Sequence, residues 1–368
     1  MLKEGKFGVH EAICLVTIAI CNKIFFTTPG FLMRTVGTAG WYMTLISCAV
    51  ALVFFTFIYL LLKRFPGKNI VEIYEASLGQ VIGFIFSFGL MVSFLASSGI
   101  YIREFVDIMK VFVFPNTPPS VLIGVLVSVV VISAFLGLES IARIAKLAAY
   151  FALSANLVLL ILSSQYFKIA HIFPILGYGL DKTVTTGILR SSAYAEVVIL
   201  SVFAGSLQGI SHIKKAGYSS LIISGFLLSF GLLSYSMIFE YTSAQEITAL
   251  AYIVAMIIKS GEFLQRLDPL FLFLWVITTV IYISILFYTT VSIYCKMFRL
   301  QDIRPVIIPM AVLTFAIAIF PKDFTSVVTE YVQGLRTYSN ITFFILPLIA
   351  LIAAVLRKKK GEKLKCVK

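Results

Sequence analysis

Ile20-Cys21-Asn22-Lys23-Ile24-Phe25-Phe26-Thr27-Thr28-Pro29-Gly30 is the stretch on which the reading of this chain turns. An amide and an ammonium group sit inside an apolar run that begins near residue 9, and the run stops at Thr27-Thr28-Pro29-Gly30, where a smooth membrane helix would continue. A second interruption follows at Ser201, Gly205, Ser206 and Gly209, in an apolar segment that also carries Glu196. The two fall in the first and sixth of ten long apolar segments. Discontinuous helices at corresponding places of two halves point to a transporter-type bundle of inverted repeats, with its binding site near the bilayer midplane.

Working outward, the expected spans are 9–28, 41–63, 81–110, 119–137, 140–163, 186–205, 216–240, 268–295, 305–320 and 339–356. The chain has 368 residues, 60% of them hydrophobic and 13% charged, roughly half the charged share of a soluble domain. Apolar runs of this length cross a bilayer as helices, because lipid offers the backbone no hydrogen-bond partners. Two short amphipathic stretches lie at matching places, 67–78 after the second span and 244–266 after the seventh. In the first, Asn69 is suited to cap a helix and Gly79 to stop it. The expected organisation is a single membrane domain: a five-span repeat over 1–163, a linker over 164–185 with Pro174, Gly177 and Gly179, a second repeat over 186–357, and a basic tail over 358–368. An odd number of spans per half makes the repeats inverted.

The net charge of +13 follows topology rather than suggesting nucleic acid. With the N-terminus inside, 19 of the 30 basic residues fall on inner segments, among them Lys3, Lys363, Lys365 and Lys368. Ten fall on or near the outer side, among them Arg190, Lys259, Arg266 and Arg336, and Lys23 lies within a span. This bias places both termini in the cytoplasm. The tail reads as a stop-transfer anchor that also suits anionic lipid. The first apolar run lacks a cleavage signal and reads as a retained span.

Enzyme signatures are absent from the sequence: no GxxxxGK[ST], HExxH or GxSxG. The five cysteines, Cys366 included, form no CxxC pair, and the three histidines are scattered in or near loops. Neither a metal nor a cofactor is expected.

Polar residues inside the spans carry the functional candidates. Lys23 lies roughly 20 Å along the first span, where a charge is costly and marks a functional site by default. The competing reading is a lysine that snorkels outward or is paired for structure. Asn22 is placed to bond either exposed backbone at the break or a polar ligand. Glu196 is a candidate partner for Lys23 if the broken spans are neighbours; its alternative is Arg190 at the outer interface. Gly89, Ser93 and Ser97 recur every four residues, a small-residue face for close packing or for a ligand. Arg103 and Asp107 are spaced for an i,i+4 pair. Arg143 and Lys146 suit snorkelling or pairing with Glu139; the alternative is a role as surrogates for a coupling ion. Tyr282 and Ser284 are polar positions deep in the eighth span.

Several segments together resemble a known family. They are Phe65-Pro66-Gly67-Lys68-Asn69-Ile70-Val71-Glu72, Gly137-Leu138-Glu139-Ser140-Ile141-Ala142-Arg143, Phe173-Pro174-Ile175-Leu176-Gly177-Tyr178-Gly179-Leu180 and Phe320-Pro321-Lys322-Asp323. In order and spacing the chain resembles the B subunit of bacterial spore germinant receptors, a branch of the amino acid–polyamine–organocation transporter superfamily. The resemblance implies an all-α integral membrane protein with ten transmembrane helices in a five-plus-five inverted repeat, leucine-transporter-like, with spans 1 and 6 discontinuous. It implies nutrient sensing in the spore inner membrane beside A-type and C-type (lipoprotein) subunits. The alternative is a proton- or sodium-coupled amino acid or organic-cation permease. In such folds spans 1, 3, 6, 8 and 10 line the ligand pocket, which implicates Asn22, Lys23, Ile24, Ser93, Ser97, Leu200, Ser201, Phe203, Tyr282, Ser284, Leu286 and Asn340, with Glu196 beside them. Two departures stand out. The first break is poor in glycine, and Ser201-Val202-Phe203 stands where the family often has G-x-E. Lys23 is therefore expected to replace carboxylate-binding backbone by its charge.

Overall fold

The computed structural model describes residues 5–258 and 267–361; Lys3, Lys259, Arg266, Lys363, Lys365, Cys366 and Lys368, named above, lie outside the described residues, as do most of the expected tail and the end of the second amphipathic stretch. The described chain is a helical bundle. Its first half contains α1 (Val9–Cys21), α2 (Thr28–Val36), α3 (Gly40–Arg64), α4 (Ile70–Leu78), α5 (Gln80–Phe112), α6 (Pro119–Leu136) and α7 (Leu138–Ser163). Its second contains α8 (Leu180–Leu189), α9 (Ile199–Val202), α10 (Ile210–Ile238), α11 (Tyr241–Ala244), α12 (Leu250–Ile257), α13 (Asp268–Met297), α14 (Arg304–Ile319), α15 (Phe324–Ser326), α16 (Gln333–Asn340) and α17 (Leu346–Leu356). Seven helical stretches among the described residues are long and apolar enough to cross a membrane, and α14 is a shorter apolar helix. The first and sixth expected spans are not among the seven, because α1 and the α8–α9 region are broken into short pieces.

The first break sits where it was expected, but the span does not end there. A tight 3-10 turn, Asn22–Phe25, is followed by extended Phe26, and the helix resumes at Thr28 with Pro29 in its first turn. Pro29 starts a helix here instead of stopping one, since a first-turn proline loses no hydrogen bond and its φ suits the helix. The span therefore runs to Val36, not to residue 28.

The sixth span is broken earlier than the Ser201–Gly209 cluster indicated. The chain tightens into a long 3-10 segment, Arg190–Val198, regains one helical turn in α9 and leaves helix after Val202. Its helix also starts at Leu180, inside the expected linker. The tenth span likewise begins before residue 339: α15, α16 and α17 join through two π-helical segments, Val327–Val332 and Ile341–Ile345, into one helical stretch from Phe324 to Leu356.

α4 forms as its residues dictate. Asn69 and Glu72 make a reciprocal capping box, and Gly79 closes the helix at φ 96°, a region that favours glycine. α3 packs closely on α10, and α5 on α13. Gly217 is what lets α3 and α10 approach: a Cβ there would lie 1.8 Å from Cζ of Phe55. α7 turns Leu147, Phe151, Leu157 and Val158 outward, an apolar face suited to lipid.

Candidate functional site

The two breaks meet. Lys23, 2% exposed, donates from Nζ to Oε2 of Glu196 and to the carbonyl of Ala193 at 2.5 Å. One side chain of the first break therefore neutralises the carboxylate of the second and bonds a carbonyl of its 3-10 backbone. The other oxygen of Glu196 accepts from Tyr282 Oη of α13 at 3.2 Å. Tyr101 of α5 packs on Tyr282, ring centroids 5.2 Å apart, and Arg336 of α16 lies over the Tyr101 ring at 5.7 Å. Arg190, the other partner considered for Glu196, donates instead to Gln333 Oε1 at 2.5 Å.

The first break is filled from its neighbours. Glu104 of α5, fully buried, accepts at Oε1 from the Thr27 amide at 3.2 Å and from Thr27 Oγ1 at 2.5 Å. A backbone donor freed by the break thus finds a carboxylate at the start of α2, where the helix dipole favours negative charge. Asn22 donates to Thr279 Oγ1 at 3.1 Å and accepts from Thr278 Oγ1 at 3.0 Å, tying the break to α13. Phe26 is seated among Trp275 at 6.0 Å and Phe105 at 6.2 Å between ring centroids. Phe25 meets Phe271 at 5.5 Å. The break is held by aromatic packing on one side and polar bonds on the other.

The second break is stitched mainly by α16. Asn340 Nδ2 donates to the Leu189 carbonyl at 2.5 Å, and its Oδ1 accepts from Ser191 Oγ at 3.1 Å. Ser192 Oγ donates to the Arg336 carbonyl. Tyr194 Oη donates to the Thr44 carbonyl of α3 at 3.1 Å. Leu189 ends α8, so its carbonyl lacks an intrahelical donor, and the serine and tyrosine hydroxyls tie the 3-10 segment to α16 and α3. π-helical segments flank α16 on both sides, and such segments recur at functional sites.

A family model described as spore germination protein matches residues 7–327. The chain belongs to that family. Spore germination protein KB of Bacillus subtilis (strain 168) is 24% identical over 373 residues, spanning 99% of this chain and 98% of that protein. Spore germination protein A2 of the same organism is 22% identical over 379 residues, spanning 97% and 98%. Among solved structures, the chain is similar to MHP1, a nucleobase-cation-symport-1 family transporter, in a closed conformation with bromovinylhydantoin bound: TM-score 0.68, 13% identity, 97% of this chain and 80% of that one. It is also similar to a Na+-coupled sialic acid symporter in a substrate-bound outward-open state: TM-score 0.66, 13% identity, 94% and 79%. These likenesses give the leucine-transporter-like fold.

Within this spore germination protein the expected site residues separate into three groups. Lys23, Glu196, Tyr282 and Asn22 converge on the meeting point of the breaks. Ser93, Ser97 and Ser201 turn their hydroxyls onto nearby carbonyls, Gly89 at 2.9 Å, Ser93 at 2.7 Å and Val198 at 2.6 Å, and Ser93 also bonds Thr342 Oγ1 at 2.9 Å across to the tenth span. Ile24, Leu200, Phe203 and Leu286 are buried apolar residues, and Ser284 Oγ is buried with no hydrogen-bond partner among the described residues. Asn340 is a brace for the second break and does not point into an open pocket. The i,i+4 pair Arg103–Asp107 forms at 2.9 Å, Arg143 pairs with Glu139 at 2.5 Å, and Lys146 reaches Glu11 instead at 2.8 Å.

Two residues of the site were not expected in it. Glu104 lies within the third expected span without having been singled out, and Arg336 was counted among the charges on or near the outer side; both are buried beside the breaks, Arg336 at 4% exposure. For Glu104 a signal existed: Arg103 and Asp107 already pair with each other, which leaves Glu104 as the acid without a local partner. The expectation that Lys23 binds a ligand carboxylate by its own charge also changes, because Glu196 already holds that charge.

Proposed function

We propose that this spore germination protein is the nutrient-sensing membrane subunit of a germination receptor, binding a small molecule such as an amino acid between its broken spans. Ten spans in two inverted repeats, both termini cytoplasmic and a place in the spore inner membrane belong to this reading. So do A-type and C-type partner subunits. It rests above all on the end-to-end match to spore germination proteins combined with a buried ion pair joining the two discontinuous helices. A ligand changes such a bundle only through different affinity for its two arrangements. The Lys23–Glu196 pair, with Tyr282 and Tyr101 behind it, is where a small occupant would favour one arrangement over the other.

Spores carrying Glu196→Gln test the reading. They are expected to lose the response to the receptor's nutrient while still germinating by a nutrient-independent route. An unaltered nutrient response would remove the breaks from the signalling path. A proton- or sodium-coupled permease is the second reading, favoured by the transporters that share the fold. Uptake of labelled amino acids by proteoliposomes containing the chain alone separates the two.

A further inference from the structure

Of the seven long helical stretches, the one built on α7 is the least buried. Its two halves differ. The N-terminal half packs through Leu138, Ile141, Ala142, Ala145, Ala148 and Ala149, all buried. From Tyr150 to Leu162 no residue is buried. The helix is anchored on either side of that stretch: Lys146 bonds Glu11 at 2.8 Å, and beyond the helix Tyr166 Oη donates to the Ile257 carbonyl at 3.0 Å. Between these anchors α7 stands off the bundle.

Behind it runs a slot of about 340 Å³, walled chiefly by α1, α7 and α10. The slot follows α7 from Ala149 to Ser163, roughly 20 Å at 1.5 Å per residue. Leu153, Leu157 and Phe230 are exposed along its lips, so it opens where a membrane bundle meets hydrocarbon. No charged residue among the described residues lines it. Its polar side chains are largely spent: Asn156, Ser163 and Ser234 donate to carbonyls of their own helices, and Thr278 donates to Asn22. Its floor is the first break, through Asn22, Ile24 and Phe25. A second crevice, on the flank of α7 that faces α13, touches no residue of that break.

Shape and chemistry decide the occupant. Water is disfavoured, because it needs several free polar partners. An apolar cavity of about 150 Å³ holds a benzene ring, so this one has room for about ten carbons or more, and its length suits a chain better than a ring. Hydrocarbon entering from the bilayer supplies the dispersion contacts that α7 does not make. We propose that this slot is a binding site for one acyl chain of a bilayer lipid, lying between α7 and α10 with its methylene groups against Phe25. The bilayer then touches the first break directly, with α7 as a strap over the chain. The site is separate from the Lys23–Glu196 pair and stands whether the protein signals or transports.

Trp275 reports on the slot. It is 1% exposed, packs on Phe25 at 6.5 Å between ring centroids, and bounds a space of about 20 Å³ together with Phe25, Ala152 and Asn156. Trp41 is the only other tryptophan. The test uses the full chain carrying Trp41→Phe, in nanodiscs of phosphatidylcholine brominated at mid-chain or of the same lipid unbrominated. Quenching by bromine needs near contact, so Trp275 emission is expected to fall by about half in the brominated discs. Ala152→Phe, which fills the slot beside Trp275, is expected to cut that loss about 3-fold or more. Asn156→Phe fills the same place and serves if the first variant does not fold. Ser154→Phe, which fills the crevice on the α13 flank instead, is expected to leave the loss unchanged. No loss in brominated discs, a loss unaltered in the slot-filling variant that folds, or a loss removed equally by Ser154→Phe would each overturn the proposal. Nutrient response is not read in this assay, so its failure leaves the receptor assignment standing.

Discussion

The two breaks solve the same problem with opposite chemistry. The first is short, Asn22–Phe25, and the group it frees is a backbone donor, the Thr27 amide, met by the carboxylate of Glu104. The second is long, Arg190–Val198, and the groups it frees are carbonyls, Ala193 and Leu189, met by the ammonium of Lys23 and the amide of Asn340. This polarity follows helix direction, because α2 begins at the first break and α8 ends at the second. The first break is also clamped by Phe25, Phe26 and Trp275, whereas the second depends on hydrogen bonds from α16. Where an ordinary carrier leaves such termini for a substrate or an ion, this chain supplies the complementary charges from its own side chains. The contrast predicts that the first break is the rigid partner and the second the adjustable one.

The comparison can be broken most strongly at Lys23, the one residue shared by both. Lys23→Met leaves Glu196 buried without a counter-charge, an expected loss of about 3–5 kcal/mol, read as a large drop in Tm of the purified chain. A smaller effect is expected at the first break. Glu104→Gln keeps an acceptor for Thr27 but removes its charge, costing about 1.5–3 kcal/mol by the same measurement. If the second break is the adjustable one, Asn340→Ala should cost only about 1 kcal/mol yet speed amide hydrogen exchange over Arg190–Val198 while leaving Asn22–Phe25 unchanged. Equal acceleration at both breaks would erase the distinction. Smallest of all is Ser93→Ala, which removes a hydroxyl shared between its own helix and Thr342 of the tenth span: about 0.6 kcal/mol, with nutrient response intact.

The apolar spans and the first break were legible because period and charge mark them locally: nothing but a charge inside an apolar run is needed to find Lys23. The pairing with Glu196 was legible as a consequence of the repeat, since corresponding breaks of two halves lie together. Pro29 was misleading because proline both ends helices and begins them, and local sequence does not say which. The Arg190–Val198 break was hidden in a stretch rich in serine and alanine, without glycine or proline to mark it. Arg336 was misread for a physical reason. Gln333–Asn340 is polar enough to pass for a loop, yet it is a helix that bonds Arg190, Ser191 and Ser192 of the second break through Gln333, Asn340 and the Arg336 carbonyl. A polar helix inside a membrane bundle becomes intelligible only with the broken neighbour it serves.

The central claim is that Lys23 and Glu196 join the two breaks as one unit. A double-mutant cycle with Lys23→Met, Glu196→Leu and the double variant, read as unfolding free energy of the full chain in nanodiscs, tests it directly. The account predicts that the double variant is more stable than the sum of the single losses implies, with a coupling of about 2 kcal/mol or more. Losses that add to within about 0.5 kcal/mol would contradict it.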